Sequence, residues 1–193
     1  RRPFTNVPHN VRILDQPATM DVGGAYLVAS PLHQKLSTLD PSLKLDELVA
    51  KLPASTVKIG VTHGALAIES KHQSNDFPIA LNAATRAGLD YLAIGHWHNW
   101  LDDTDGGRIV MPGTPEPDSF DHKRCGFIAY VEIDGQGIAP RVAAVPVASL
   151  MWKELTFDFL SADSSRATIA QTIADLATDI AKTVVRVVLT GAA

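Results

Sequence analysis

The chain has a single cysteine, no long apolar run and no cluster of basic residues. Cys125 is the only cysteine among 193 residues, which excludes an internal disulfide framework and a thiolate zinc site. A lone thiol fits a reducing compartment, so we expect a cytoplasmic protein. No apolar run approaches the roughly 20 residues that a membrane-spanning helix needs, and no membrane partner is expected. The formal net charge of −4 argues against strong nonspecific binding to nucleic acid, although a local basic patch stays open.

What the chain contains is typical of a globular α/β protein. Hydrophobic residues make up 46% and charged residues 20%. Short apolar runs predict strands, and apolar residues at helical spacing predict helices. The predicted strands are 11–14, 25–29, 57–61, 90–95, 108–111, 125–131, 139–147, 155–159 and 184–189. The predicted helices are 43–52, 79–87 with Pro78 in its first turn, and a third that begins at Asp163 or Ser164 and reaches about residue 180. Residues 102–107 are predicted as a solvated acidic turn.

The character of the sequence changes near residue 150. Residues 1–149 are predicted to form one unit, and 150–193 begin a second, smaller one with the order strand, helix, strand. Two strands and one helix bury too little apolar surface to be stable alone. The second unit is therefore predicted to be truncated.

Three histidines follow predicted strands. His63 comes at the end of strand 57–61 and is followed by Gly64, and His96 and His98 come at the end of strand 90–95. Residues two apart in an extended chain point to the same side with Cα atoms roughly 6.5–7 Å apart. That spacing suits two ions roughly 3.5–4 Å apart better than one shared ion. Neutral imidazole is a good ligand for manganese, iron or zinc, so we predict a shared metal centre at this edge of the sheet. The alternative is that one histidine packs in the core while another is merely solvated.

The motifs resemble those of a known family. Thr62-His63-Gly64, then Gly95-His96-Trp97-His98, then Pro112-Gly113-Thr114-Pro115-Glu116-Pro117-Asp118-Ser119-Phe120 are similar to the later motifs of the calcineurin-like metallophosphoesterases. The last block favours the branch of DNA-repair exonucleases, which are the nuclease partners of SMC-like ATPases. The resemblance covers about residues 1–150 and continues weakly to the end, where such nucleases carry a small DNA-contacting capping domain.

The resemblance implies two divalent ions, with Mn²⁺ expected, and a set of ligands. His63 and His96 would ligate one ion and His98 the other. The family also uses an Asp-x-His, a bridging Asp and an Asn-His pair near its N-terminus, and these motifs are absent here. The general acid would then lie upstream of Arg1, and no catalytic residue is assigned in this chain. Three neutral imidazoles cannot offset four positive charges, so we expect this polypeptide alone to bind metal weakly and to cleave nothing.

The resemblance also implies a fold, partners and a function. The chain would supply the second half of a two-sheet sandwich flanked by helices, followed by the start of a small α+β capping domain. An uncovered apolar face or sheet edge is then expected to make the chains associate with one another, for example as a homodimer. DNA and an SMC-like ATPase subunit are the expected partners, and the expected function is exonuclease or endonuclease action in DNA repair. The candidate substrate contacts are Trp100, Lys123 and Arg124.

Two other functions stay open. A metallophosphoesterase acting on a small phosphoester or a cyclic nucleotide would use the same centre, and a non-catalytic scaffold would need no complete centre. His9, His33, His72 and His122 match no motif of the family and are assigned to the surface, although His122 could touch substrate. A basic inner face on residues 151–193 would favour DNA.

Overall fold

The computed structural model describes residues 7–69, 73–158, 166–176 and 180–191. These residues form a mixed α/β fold with one six-stranded sheet and two two-stranded sheets. The strands β1 to β10 are Ala18–Asp21, Ala25–Ser30, Val57–His63, Tyr91–Gly95, Leu101–Thr104, Ile109–Met111, Phe127–Glu132, Arg141–Pro146, Met151–Asp158 and Thr183–Thr190. The α-helices α1 to α3 are Leu43–Val49, Ala83–Ala87 and Arg166–Leu176, and a 3₁₀ turn spans Ile180–Lys182.

The six-stranded sheet has the order β1-β2-β3-β4-β6-β5. Strands β2, β3, β4 and β6 are parallel, whereas β1 and β5 run antiparallel to their neighbours at the two edges. The chain crosses between parallel strands through α1 and α2, because parallel strands cannot be joined by a tight turn. His63 of β3 is in register with Gly95 of β4, so both strands end at the same edge of the sheet. Open α/β sheets place their site residues at such an edge.

Helices α1 and α2 cover one face of this sheet. Leu45 of α1 and Ala84 of α2 are fully buried in one cluster with Leu92 of β4. Gly60 of β3 lets the layers approach closely, because a Cβ atom there would lie 2.6 Å from the Leu89 side chain and 2.8 Å from that of Leu92. Strand β4 is a mostly buried apolar run, whereas β3 alternates buried and more exposed residues, and both patterns predict a strand from the sequence.

The β7–β8 hairpin covers part of the opposite face. Tyr91 of β4 and Val110 of β6 are buried there, and Phe127 of β7 packs against them. Trp100 belongs to the same cluster and meets Phe127 edge to face, with ring centroids 6.3 Å apart. The cover is incomplete, because Val61 in the middle of the sheet is 37% exposed.

A buried carboxylate fixes the hairpin to the sheet. Asp90, which is 3% exposed, accepts the backbone N–H of Lys58 at 2.9 Å and that of Gly137 at 2.6 Å. Arg108 donates to the carbonyl oxygens of Asp90 and Gly137 at 3.1 and 2.8 Å. The start of β3, the start of β4 and the turn between β7 and β8 therefore share one set of hydrogen bonds.

The C-terminal unit has the predicted order strand, helix, strand. Strands β9 and β10 pair in parallel, and α3 lies between them in the chain. The unit contacts the loop before β7 through Trp152, whose ring centroid is 4.7 Å from that of Phe120. The Arg186 guanidinium lies 4.5 Å above the Phe120 ring, a cation–π contact. The predicted caps Asp163 and Ser164 lie outside the described residues.

Glu116 of the Pro-Gly-Thr-Pro-Glu block contacts the segment that leads into β9. Its carboxylate accepts the backbone N–H of Ser149 at 2.6 Å and that of Leu150 at 3.2 Å. The Ser149 hydroxyl and backbone hold the pKa of Glu116 below its ordinary value. The segment entering β9 is therefore tied to the loop that follows the candidate site.

One predicted element near the ends of the sheet was wrong, and a second was wrong in part. Residues 11–14 are irregular, since no described strand pairs with them and Ile13 is 43% exposed. The first strand is Ala18–Asp21 instead. The turn predicted for residues 102–107 is confirmed for 105–107. Residues 102–104 belong to the edge strand β5, because pairing with β6 overrides the poor strand propensity of two aspartates.

Two further boundaries also differ from prediction. The helix predicted for 79–87 is only Ala83–Ala87, because Ile79 forms a bridge with Leu66 and its N–H donates to the Ala65 carbonyl at 2.8 Å. Cys125 precedes β7 rather than lying in it, and its thiol donates to the His122 carbonyl at 3.1 Å. Of the helices described, none has the length and apolar character needed to cross a membrane.

Candidate metal centre

The ends of β3 and β4 bring two of the predicted ligands together. His63 is the last residue of β3, and His96 follows the last residue of β4. His63 Nε2 lies 3.4 Å from His96 Nδ1, and the rings are almost perpendicular at 87°. A tetrahedral ion with metal–nitrogen bonds of roughly 2.0–2.1 Å separates its ligand nitrogens by about 3.4 Å. The observed separation is compatible with two nitrogens that share one divalent ion.

Asp76 orients the ring of His96. Its Oδ2 lies 2.8 Å from His96 Nε2. Because a carboxylate can only accept, Nε2 carries the proton and the lone pair of the neutral ring lies on Nδ1, the atom that faces His63. Carboxylates commonly fix metal-binding imidazoles in this way. Asp76 was not predicted as a site residue, since it lies in a polar loop 20 residues before His96 and matches no motif.

Backbone contacts hold the loop that carries Asp76 against the sheet edge. The Ala65 N–H donates to the Asp76 carbonyl at 3.1 Å, and the Phe77 N–H donates to the Ser37 carbonyl at 2.9 Å. Gly64 makes this approach feasible, because its φ is +154° and a Cβ atom there would lie 2.4 Å from the Phe77 carbonyl oxygen. The glycine of the Thr-His-Gly motif thus has a structural role that supports the site.

His96 has a strained backbone. Its φ of 150° is a conformation that residues with a Cβ rarely adopt. Such strain costs about 1–3 kcal/mol and is found where the surrounding structure holds a functional residue in place. Gly95 before it is also crowded, because a Cβ atom there would lie 3.0 Å from His63 Nδ1.

The electrostatics of the pair favour a neutral His63. Partial burial lowers the pKa of His63 below its ordinary value, and a charge on His96 would lower it further, whereas Asp76 raises it. The ring is therefore neutral at neutral pH, so its lone pair is available to an ion.

His98 contacts a different carboxylate. Its Nδ1 lies 2.7 Å from Asp118 Oδ2, and His122 Nδ1 lies 2.7 Å from Asp118 Oδ1. The two imidazole centroids are 4.9 Å apart, and one donor atom from each of the three residues lies within 4.8 Å of the others. The hydrogen bond from His122 and the charge of His98 hold the pKa of Asp118 below its ordinary value. This second cluster could hold a metal, although it is open to solvent.

The Pro-Gly-Thr segment places Asp118 beside His98. The Thr114 N–H donates to the His98 carbonyl at 3.2 Å, and the Gly126 N–H donates to the Thr114 carbonyl at 2.8 Å. Gly113 has a φ of +74°, and a Cβ atom there would lie 2.5 Å from the His98 carbonyl oxygen. Only a glycine lets the segment pass this close to the histidine.

Of the three candidate substrate contacts, one is buried and two are exposed. Trp100 is 5% exposed and packs on Phe127, so it belongs to the core and is not available to stack on a base. Lys123 is exposed and lines a cavity of about 190 Å³. Arg124 is also exposed, and its Nη2 lies 3.8 Å from Asp102.

The remaining histidines had been assigned to the surface. His9 and His33 are exposed, and His72 lies outside the described residues. His122 is in a loop as predicted, but its contact with Asp118 makes it part of the second cluster. The spacing of four residues between Asp118 and His122 was the signal that could have suggested this contact.

Comparison with known proteins identifies no relative. No protein-family model matches this chain, and no curated protein matches it. The functional interpretation therefore depends on the geometry of the site residues.

Proposed function

We propose that this protein is a calcineurin-like metallophosphoesterase that hydrolyses phosphodiester bonds of DNA as a repair exonuclease or endonuclease. The observation that carries the proposal is the 3.4 Å separation of His63 Nε2 and His96 Nδ1 at the shared edge of two parallel strands. His63 and His96 would hold one Mn²⁺ ion, and His98 would hold a second. When bound, two such ions activate water as a nucleophile and stabilise charge on the attacking and leaving oxygens.

The roles of the chain's own residues follow from their contacts. Asp76 keeps the proton of His96 on Nε2, which directs the Nδ1 lone pair toward the ion shared with His63. The strained φ of His96 is consistent with a residue held for function rather than for stability. The remaining anionic ligands and the general acid would come from residues outside these motifs.

The proposed fold is the second half of a two-sheet sandwich. It is supported by the incomplete cover of the six-stranded sheet, where Val61 is 37% exposed. Beside it is a mainly apolar cavity of about 330 Å³, whose lining includes Leu14, Leu32 and His63. A second sheet would bury this surface, and burial of apolar area stabilises by about 25 cal/mol per Å².

DNA is favoured over a small phosphoester by the C-terminal unit, which we propose to be the start of a capping domain. Arg186 of β10 lies over Phe120, is ion-paired with Glu154 and lies 3.8 Å from Asp121, beside the loop that carries the exposed Lys123 and Arg124. Lys123 and Arg124 are the cations that would contact phosphates. We further propose a cytoplasmic protein that works with an SMC-like ATPase subunit.

The test is nuclease activity of the protein at its natural length with Mn²⁺. We expect degradation of linear DNA, loss of activity by more than about 100-fold in H63A and H96A, and unchanged activity in the control H33A. Circular single-stranded DNA distinguishes endonuclease from exonuclease action. Hydrolysis of bis(p-nitrophenyl) phosphate without action on DNA would instead support the small-phosphoester alternative. Manganese-loaded protein that cleaves none of these substrates would contradict the proposal and favour a scaffold.

A further inference from the structure

We infer that His98, Asp118 and His122 form a three-ligand site for a first-row divalent transition cation, complete within this chain. The arrangement of the three side chains carries the inference: one possible donor atom from each lies within 4.8 Å of the others. Each Asp118 oxygen accepts from a different imidazole Nδ1 at 2.7 Å, and a bound ion would replace these two protons. His98 was assigned an ion from the motifs alone, whereas Asp118 and His122 were not assigned any ligand role. The inference rests on the proposed function only in identifying this cation as the second of the two ions.

The donor set determines the class of cation. Two imidazole nitrogens and one carboxylate oxygen favour zinc, cobalt, iron or manganese over calcium and magnesium, which prefer oxygen ligands. Three protein ligands that leave a further position open are typical of catalytic rather than structural zinc sites. The half-exposed side chains of His98 and Asp118 leave that position open to water or to a phosphate oxygen.

The charge balance also favours a cation. With both rings neutral, the cluster carries one negative charge from Asp118, which a divalent ion converts to one positive charge. The three neutral imidazoles of the motifs provide no such compensation.

The loop holds the ligands in place before any ion binds. Thr114 and Gly113 fix the segment against the His98 backbone, and the Cys125 thiol donates to the His122 carbonyl at 3.1 Å. Cys125 supports the loop through this hydrogen bond and is not counted as a ligand. Prearranged ligands of this kind lower the ordering cost of binding.

The experiment is a Co²⁺ titration of the chain followed by visible absorption, with Zn²⁺ as competitor. Loss of an outer-shell partner typically weakens metal binding by about 10–100-fold, so loss of a direct ligand should weaken it by at least about 100-fold. We expect D118N and H122A each to bind one of the Co²⁺ ions at least about 100-fold more weakly than the wild type. D118N preserves the shape of the side chain, and H122Q provides a second variant that keeps a polar group if H122A does not fold.

Matched controls are available in the same segment. D121N changes an aspartate whose side chain is 84% exposed, and H33A changes an exposed histidine remote in sequence, so both should titrate as the wild type does. H63A should remove only the other ion. Equal Co²⁺ binding by D118N, H122A or H122Q and the wild type would overturn the inference, as would a loss of the same size in D121N.

Hydrolysis of bis(p-nitrophenyl) phosphate by the protein at its natural length, measured beside its Co²⁺ binding, separates this inference from the proposed function. Co²⁺ binding that depends on Asp118 and His122 in a protein that hydrolyses no phosphodiester would support the site and contradict the function. Hydrolysis that is lost in H63A, together with unchanged Co²⁺ binding in D118N and H122A, would overturn the site and leave the function in place.

Discussion

The backbone of His96 gives a prediction that depends on strain alone. Its φ of 150° suits glycine, and a residue with a Cβ there costs about 1–3 kcal/mol. At an ordinary position, glycine is less stable than alanine by roughly 0.5–1 kcal/mol. H96A and H96G lose the same imidazole and the same hydrogen bond to Asp76, so these contributions cancel when the two variants are compared. From the midpoints of these two ranges, we therefore expect H96G to be more stable than H96A by about 1 kcal/mol.

The assay is urea unfolding of the metal-free protein, followed by circular dichroism. With a urea dependence of roughly 2 kcal/mol per M, the difference corresponds to a midpoint about 0.5 M higher for H96G. The control pair is E132A and E132G, at an exposed position of β7 outside the positive-φ residues, where alanine should be the more stable. If H96A were as stable as H96G or more so, the reasoning that the histidine is held against a backbone preference would be refuted. Both variants should lose the ion shared with His63, whatever their stability.

Three further predictions concern the same region. G64A should destabilise the fold by about 2–4 kcal/mol, because its Cβ atom would lie 2.4 Å from the Phe77 carbonyl oxygen; a loss under about 0.5 kcal/mol in thermal unfolding would contradict this. D76N should weaken Mn²⁺ binding by about 10–100-fold with the fold unchanged, measured by calorimetry, and equal affinity would refute its orienting role. NMR titration should place the pKa of His63 below its ordinary value, and H96A should raise it. Because the unfolded chain then binds more protons at His63, the free energy of unfolding of the metal-free protein should fall as pH falls below about 6.5. The wild type should lose more stability than H63A over this range, and equal losses in the two proteins would contradict the prediction.

The parallel core could be predicted from the sequence, but the elements at its edges could not. Strand β4 is a mostly buried apolar run and β3 alternates buried and more exposed residues, and both patterns are local signals of a strand. The edge strand β5 forms because it pairs with β6, and local residue propensity does not predict this pairing. The residues around Ile13 have an apolar pattern but no partner strand among those described, so the pattern alone did not determine the structure.

The candidate site was predictable where residues follow strands and not where they come from loops. His63 and His96 lie at the ends of neighbouring parallel strands, and the rule for such edges predicted their proximity. Asp76 and Asp118 reach the histidines from loops whose paths depend on close backbone contacts. The positions of the glycines suggest such close contacts but do not identify which carboxylate is brought to the histidines. His122 became informative only once its contact with Asp118 was known.

The central claim is that one divalent ion lies between the imidazoles of His63 and His96. Crystals of the protein grown with Mn²⁺ and measured at the manganese absorption edge test this claim directly. We predict an anomalous peak within about 2.0–2.3 Å of both His63 Nε2 and His96 Nδ1. An anomalous map with no peak between these two nitrogens, from crystals that hold manganese elsewhere or nowhere, would contradict the claim.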